Sequence, residues 1–136
     1  MAEHPNHDQI GEGELTEEQL IYKENILDHY KHPHNKKHID NPTKKQSGVN
    51  PSCGDSIDVS LVIKDGKIVD IGYRGNGCAI SQASMSMLSD KVIGMTAEEV
   101  QHLQKDDVLE LLGIPIGIVR MKCALLGLRT TQRAAQ

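Results

Sequence analysis

Apolar residues recur at every second position in two neighbouring stretches of the chain, 57–63 and 69–73. A period of two is typical of a half-buried β-strand. Asp65 and Gly66 lie between the stretches, and both residue types tolerate the positive φ angles of a tight hairpin turn. The pattern predicts an antiparallel hairpin with Val69, Ile71 and Tyr73 facing the core on its second strand. The strand is expected to end at 75–77, a Gly-Asn-Gly segment.

Helical signals surround this hairpin. A capping box at Thr16–Gln19 predicts a helix to about residue 30, with one face formed by Leu20, Leu27 and Tyr30. Pro33 prevents its continuation. The segment 33–54 contains three prolines and two glycines, and it is expected to be mainly a long loop with room for a short strand.

The second half of the chain is predicted to be helical. A helix over 79–93 is closed by Gly94, and a second capping box over 96–99 opens a short helix to about residue 103. Asp106 or Asp107 is expected to cap another short helix that ends at Gly113. The last helix is predicted over 117–132.

Composition narrows the class of protein. A chain of 136 residues with no Phe and no Trp has one aliphatic core, expected over 16–136 behind a mobile tail, 1–15. The net charge of −4 and scattered cations give no indication of a nucleic-acid surface. No apolar run is long enough to span a membrane. Three cysteines without an export signal favour reduced thiols in the cytoplasm.

The candidate chemistry lies in the cysteines and one aspartate. Cys53, Cys78 and Cys123 are far apart in sequence, and Asp55 follows Cys53 after a glycine that lets the backbone turn. Three thiolates and one carboxylate complete a four-ligand site for zinc or an iron–sulfur cluster. The alternatives are inert buried thiols and an aspartate that only caps a turn.

Basic residues and histidines add two further hypotheses. Arg120 and Lys122 flank Cys123 early in the last predicted helix, where cations and the helix dipole favour a thiolate. A solvated helix face explains the two cations equally well. Four histidines fall within one short segment: His29, His32, His34 and His38. Such histidines are more often surface side chains at a helix end than metal ligands, and metal binding is the minor alternative.

Four strings of residues, in this order and spacing, resemble the family of iron–sulfur cluster assembly proteins of the IscU, SufU and NifU N-terminal type. The strings are 28–35 (Asp-His-Tyr-Lys-His-Pro-His-Asn), 50–55 (Asn-Pro-Ser-Cys-Gly-Asp), 75–81 (Gly-Asn-Gly-Cys-Ala-Ile-Ser) and 120–126 (Arg-Met-Lys-Cys-Ala-Leu-Leu). The resemblance runs from about residue 18 to residue 129. It implies an α+β fold, with a small antiparallel sheet packed on one side by helices.

The resemblance also implies the site and the partners. In the family the three cysteines and the aspartate bind zinc or a 2Fe–2S cluster, which transfers here to Cys53, Asp55, Cys78 and Cys123. The implied partners are a cysteine desulfurase of the SufS or IscS type and the apo-proteins or carriers that receive the cluster. Such a protein accepts and transfers sulfur alongside a desulfurase and is not a stand-alone enzyme.

The subtype indicated by the residues is mixed. IscU has a histidine where this chain has Lys122, and the chaperone-binding string of IscU does not match the segment 114–118. Both departures resemble SufU, whereas the interval between the second and third cysteines has the IscU length. Cluster scaffolding and zinc-dependent sulfur transfer therefore both stay open.

The sulfur-accepting residue and the class of function also have alternatives. From the helix position and its cations we predict Cys123 as the acceptor of a persulfide, and Cys53, which the resemblance to SufU favours, is the alternative. An alternative function is a zinc-stabilised interaction domain without sulfur transfer. A hydrolase or phosphate-binding enzyme is disfavoured, because the chain has none of the corresponding motifs.

Overall fold

The computed structural model describes residues 15–136, which form three strands and five helices. The predicted tail, 1–15, thus lies almost wholly outside the described residues. In chain order the elements are α1 (Glu17–Lys31), β1 (Lys44–Asn50), β2 (Asp55–Lys64), β3 (Lys67–Asn76), α2 (Ala79–Val92), α3 (Ala97–Gln101), α4 (Lys105–Leu112) and α5 (Ile118–Ala134). Within residues 15–136, no helix is long and apolar enough to cross a membrane.

The strands form one antiparallel sheet in the order β1-β2-β3. The predicted hairpin turn is confirmed, since Asp65 and Gly66 have φ angles of 54° and 79°. The predicted inward position of Val69 is wrong, because this side chain is 45% exposed and Ile68 is buried instead. An irregularity between Val62 and Ile63 shifts the register, and such a bulge reverses which side chains face the core.

Helices α2 and α5 pack against each other, and α5 lies across β1 and β2. Helix α2 is almost entirely buried, which its many small residues permit. Helix α1 packs on α2, but the predicted apolar face of α1 is wrong. Leu20 and Tyr30 are exposed, whereas Ile26 and His29 are buried against α2. The spacing of apolar residues predicted the wrong face of α1, because a polar side chain occupies part of the surface that contacts α2.

The predicted helix ends agree with the structure at most positions. Thr16 and Thr96 both form the expected capping boxes, and Gly113 ends α4 with a φ of 70°. The start of α4 differs from the prediction, because Gln104 is the N-cap and Asp107 accepts a hydrogen bond from its N–H at 2.7 Å. In the segment 33–54, the short strand is β1, which α5 covers.

A buried hydrogen-bond network fixes the chain after α1 onto α2. His29 Nδ1 lies 2.7 Å from Ser86 Oγ, which also accepts the backbone N–H of His34 at 2.8 Å. Asn35 donates to Ser89 Oγ at 2.8 Å and to Asp90 at 2.9 Å. His29, His34 and Asn35 therefore have a structural role. The interpretation of all four histidines as surface side chains is wrong for His29, which is buried, and none of the four is in the group of possible metal ligands found within residues 15–136.

The burial of His29 makes the stability of the fold depend on pH. Burial, followed by the positive charge of His34, lowers the pKa of His29 below its usual value. The unfolded chain takes up this proton near pH 6.5, whereas the folded chain takes it up only at lower pH. The free energy of unfolding should therefore have its full value above about pH 6.5 and should decrease as the pH drops below it. Denaturant titrations between pH 7.5 and pH 5 measure this slope.

The matched variants are His29→Gln and His102→Gln, since His102 is exposed. We expect a shallower slope in the first variant and an unchanged slope in the second. A slope that survives His29→Gln would assign the pH dependence to another group.

Candidate metal centre

The first part of the site is the turn between β1 and β2. Asn50 ends β1 and pairs with Asp55, the first residue of β2, and the Cys53 N–H donates to the Asn50 carbonyl at 3.2 Å. Gly54 has a φ of 71°, a left-handed conformation that favours glycine. This turn leaves Cys53 half-buried and buries the carboxylate of Asp55 to 2% exposure.

The second part is the junction of β3 and α2, where Cys78 is the N-cap residue of α2. The backbone N–H of Cys78 donates to Asp55 Oδ1 at 3.0 Å. A Cβ atom on Gly77 would lie 3.0 Å from Asp55 Cγ and would overlap Ser81 Oγ. The absence of a side chain at Gly77 therefore lets the aspartate approach the start of α2.

The third part is Cys123, which lies in the second turn of α5 and is 0% exposed. One ligand atom each from Cys53, Asp55 and Cys123 lies within 4.8 Å of the others. Three of the four predicted ligands thus converge, whereas Cys78 is outside this group and joins it through its backbone. All three cysteines are free thiols.

The donor set fits a thiophilic metal. Asp55 Oδ2 is buried and has no hydrogen-bond partner among the described residues. A buried carboxylate oxygen without a partner is costly unless a cation or a donor reaches it. Two sulfurs and one carboxylate oxygen are ligands that zinc and cluster irons accept, and Cys78 is at hand to supply a third sulfur. These residues could therefore hold a metal ion.

Two polar side chains lie close to the sulfurs of Cys53 and Cys123. Arg120 Nη1 lies 4.0 Å from Cys53 Sγ. Partial burial lowers the pKa of the Arg120 guanidinium, but hydrogen bonding to Cys123 and the charges of the cysteines raise it overall. Asn50 Nδ2 lies 3.8 Å from Cys123 Sγ. Sequence reasoning gave no role to Asn50 or Gly77, although both stand in the motif strings.

The electrostatic reason for expecting a reactive thiolate at Cys123 is met only in part: Arg120 hydrogen-bonds to this residue, but the helix dipole and Lys122 do not favour the thiolate. The effect of the helix dipole falls off within the first turn, and Cys123 lies beyond it. Lys122 is exposed on another side of α5. Burial raises the pKa of the Cys123 thiol, and contacts with Asp55 and Cys53 raise it further.

The role of Gly77 can be tested by the substitution Gly77→Ala. The added methyl group must displace the Asp55 carboxylate, so we expect zinc affinity to fall by about 10-fold to 100-fold, as for residues that orient metal ligands. Competition with a chromophoric chelator measures the affinity. Asn76→Ala, at the exposed neighbouring position, is the control and should bind zinc like the unsubstituted protein. Equal affinity in the two variants would show that Gly77 does not position Asp55.

Known proteins resemble this chain in sequence and in fold. A family model described as the NifU-like N terminal domain matches residues 21–136. The iron–sulfur cluster assembly scaffold protein IscU of Streptococcus pyogenes is 43% identical over 61% of this chain and 52% of its own length. The zinc-dependent sulfurtransferase SufU of Bacillus subtilis is 30% identical over 83% of this chain and 88% of its own length. The chain thus spans only about half the length of the Streptococcus relative.

Solved structures agree with the sequence relatives. A protein of Fervidobacterium islandicum, described as a candidate iron–sulfur cluster assembly scaffold for the SUF system, has a TM-score of 0.71 and 30% identity. The comparison covers 87% of this chain and 98% of that protein. An N-terminal NifU-like protein of Brucella abortus has a TM-score of 0.68 at 22% identity, which shows the shared fold alone. The predicted α+β architecture is thereby confirmed.

Proposed function

The chain belongs to the NifU-like N terminal domain family, and from this premise we propose that it works in iron–sulfur cluster assembly. It accepts sulfur from a cysteine desulfurase and acts as a cluster scaffold or as a zinc-dependent sulfur carrier. The site is formed by Cys53, Asp55, Cys78 and Cys123. The cluster, or the sulfur bound for it, then passes to apo-proteins or cluster carriers.

One observation carries the proposal. Donor atoms of Cys53, Asp55 and Cys123 lie within 4.8 Å of one another, and one oxygen of the Asp55 carboxylate is buried without a partner. Asp55 Oδ1 fixes the start of α2, but the other oxygen costs free energy while it lacks a partner, and a bound metal or cluster would supply one. When zinc is bound, it keeps its cysteine ligands as thiolates. The hard carboxylate among soft sulfurs is the ligand that exchanges most readily.

Cys53 is the proposed sulfur acceptor. Its thiolate attacks the outer sulfur of the persulfide on the desulfurase, the S–S bond breaks, and the cysteine thiolate of the desulfurase leaves. Cys53 then carries the persulfide. This residue is half-buried in a surface turn, whereas Cys123 is 0% exposed, so a partner reaches Cys53 first. Arg120 beside the sulfur offers a positive charge to the persulfide anion.

An exposed apolar surface next to Cys53 supports docking of the desulfurase. Ile118 and Val119 at the start of α5 are 92% and 73% exposed, and they directly precede Arg120. Exposed apolar side chains beside a reactive group are typical of protein–protein contact sites.

We place the protein in the cytoplasm, because its free thiols require a reducing compartment.

Anaerobic isolation of the protein followed by elemental analysis and visible spectroscopy tests the proposal. We expect either stoichiometric zinc without colour or iron and sulfide with cluster absorption. Incubation with a cysteine desulfurase and cysteine, followed by alkylation and mass spectrometry, should then locate a persulfide on Cys53. Bound zinc without persulfide on any cysteine would favour the alternative of a zinc-stabilised interaction domain.

A further inference from the structure

A basic groove runs along α5 beside the end of β1. It is a cavity of about 590 Å³, and its positive side chains are Lys122, Arg129 and Arg133. Leu126 and the exposed Val49 form its apolar floor. The spacing of these α5 residues places them on one face of the helix, because positions three or four apart are neighbours.

The groove has more positive than negative side chains. No Asp or Glu side chain lines it, and none of its three cations forms an ion pair within residues 15–136. The net charge of the whole chain is −4, so this concentration of positive charge is local. Gln132 fixes one wall by donating to the carbonyls of Val100 and Leu103 at 3.1 Å and 2.9 Å.

The dimensions of the groove favour an extended peptide. The helix rise places Arg129 and Arg133 about 6 Å apart along α5 and the ends of the stripe about 16 Å apart. Alternate side chains of an extended strand are about 6.6 Å apart, and six consecutive strand residues span about 16 Å from the first to the last. Carboxylates at alternate positions therefore match the two arginines, while the side chains between them point away. A stripe this short offers little to a nucleic-acid duplex, whose recognition requires a wider basic surface.

We propose that the basic groove binds an extended acidic segment of a protein partner. This inference rests on the proposed function, because the groove begins beside the metal centre: Lys122 adjoins Cys123, and Asn50 lines the groove and contacts the Cys123 sulfur. A partner bound there is held next to the sulfur and metal ligands. Charge complementarity speeds and orients such encounters more than it strengthens them.

Fluorescence anisotropy with the full chain tests this proposal. The probe is a labelled peptide of about six residues in which Glu alternates with Ser, a length set by the strand rise. We expect binding at low salt that weakens as salt is added, because exposed charges are screened. Arg129→Glu combined with Arg133→Glu should weaken binding by about tenfold or more, since attraction becomes repulsion at two positions. Lys64→Glu combined with Lys105→Glu, at exposed sites outside the groove, should leave it unchanged.

The contradicting results are specific. Equal binding by the two double variants, or equal binding of a peptide with Lys in place of Glu, would overturn the proposal. So would an oligothymidine that binds more tightly than the peptide and loses binding in the groove variant. Tighter peptide binding after neutralisation of the four acidic residues within 1–14 would show that this segment of the same chain occupies the groove. That result would contradict the proposed protein partner. Persulfide formation is measured in the same samples. If the unsubstituted protein forms no persulfide, the proposed function fails, but the peptide-binding result still stands, so the two failures can be distinguished.

Discussion

Substitution of Cys53 by serine is expected to reduce sulfur uptake from a cysteine desulfurase by at least about 100-fold, because a serine hydroxyl is a far weaker nucleophile than a thiolate at neutral pH. The fold should be unaffected, since Cys53 lies half-buried in a turn and not in the core. Mass spectrometry of the alkylated protein measures the persulfide, and circular dichroism checks the fold.

Two further variants test whether the loss of sulfur uptake is specific to Cys53. Ser52→Ala, at the exposed neighbour, should accept sulfur like the unsubstituted protein. Cys123→Ser should still accept sulfur at Cys53, although its metal affinity falls. Sulfur on Cys123 in the Cys53→Ser variant, at the unsubstituted rate, would restore the acceptor favoured by helix position and local charge.

The second large effect is expected from Asp55→Ala. Zinc affinity should fall by about 100-fold or more, because the variant loses a ligand and the group that fixes the start of α2. A bound 2Fe–2S cluster should instead persist longer, since the readily exchanged carboxylate is gone and an added thiol, a softer ligand, can take its place. Chelator competition measures the first effect, and the decay of visible absorption in the presence of an apo-acceptor measures the second.

Asp55→Asn separates the two contributions of this side chain. The amide oxygen can still accept the Cys78 N–H, but the charge is lost, so we expect an intermediate zinc affinity. Asp58→Ala removes an exposed carboxylate from the same strand and is the matched control. If cluster lifetime and zinc affinity are the same in Asp55→Ala and Asp58→Ala, Asp55 is only a turn residue.

Local interactions account for what the sequence determined by itself. The hairpin turn at Asp65 and Gly66 and the capping boxes at Thr16 and Thr96 depend on residues within four positions of one another. The backbone preferences and short-range hydrogen bonds that form these features are present before any packing occurs. The residue types of the candidate metal centre could also be read from the sequence, because three cysteines and a nearby carboxylate have the composition of a four-ligand site.

Tertiary structure decided the features that depend on residues distant in sequence. The bulge that turns Val69 outward and Ile68 inward follows from how β3 fits against β2 and the helices. The inner face of α1 includes His29, because Ser86 of α2 provides a hydrogen bond that satisfies the ring in the interior. A hydrophobic pattern describes single positions, and it cannot predict the burial of a polar residue whose hydrogen-bond partner lies far along the chain.

The reactive thiol and the basic groove also depend on tertiary structure. The sequence named Cys123 as a candidate thiolate from its neighbours in the helix, whereas packing of α5 against α2 and the sheet buries this thiol and leaves Cys53 accessible. The cations of α5 seemed scattered in sequence, yet the helix aligns Lys122, Arg129 and Arg133 beside the end of β1. Solvent exposure and the grouping of charges are properties of the packed molecule, because both depend on which surfaces the other elements cover.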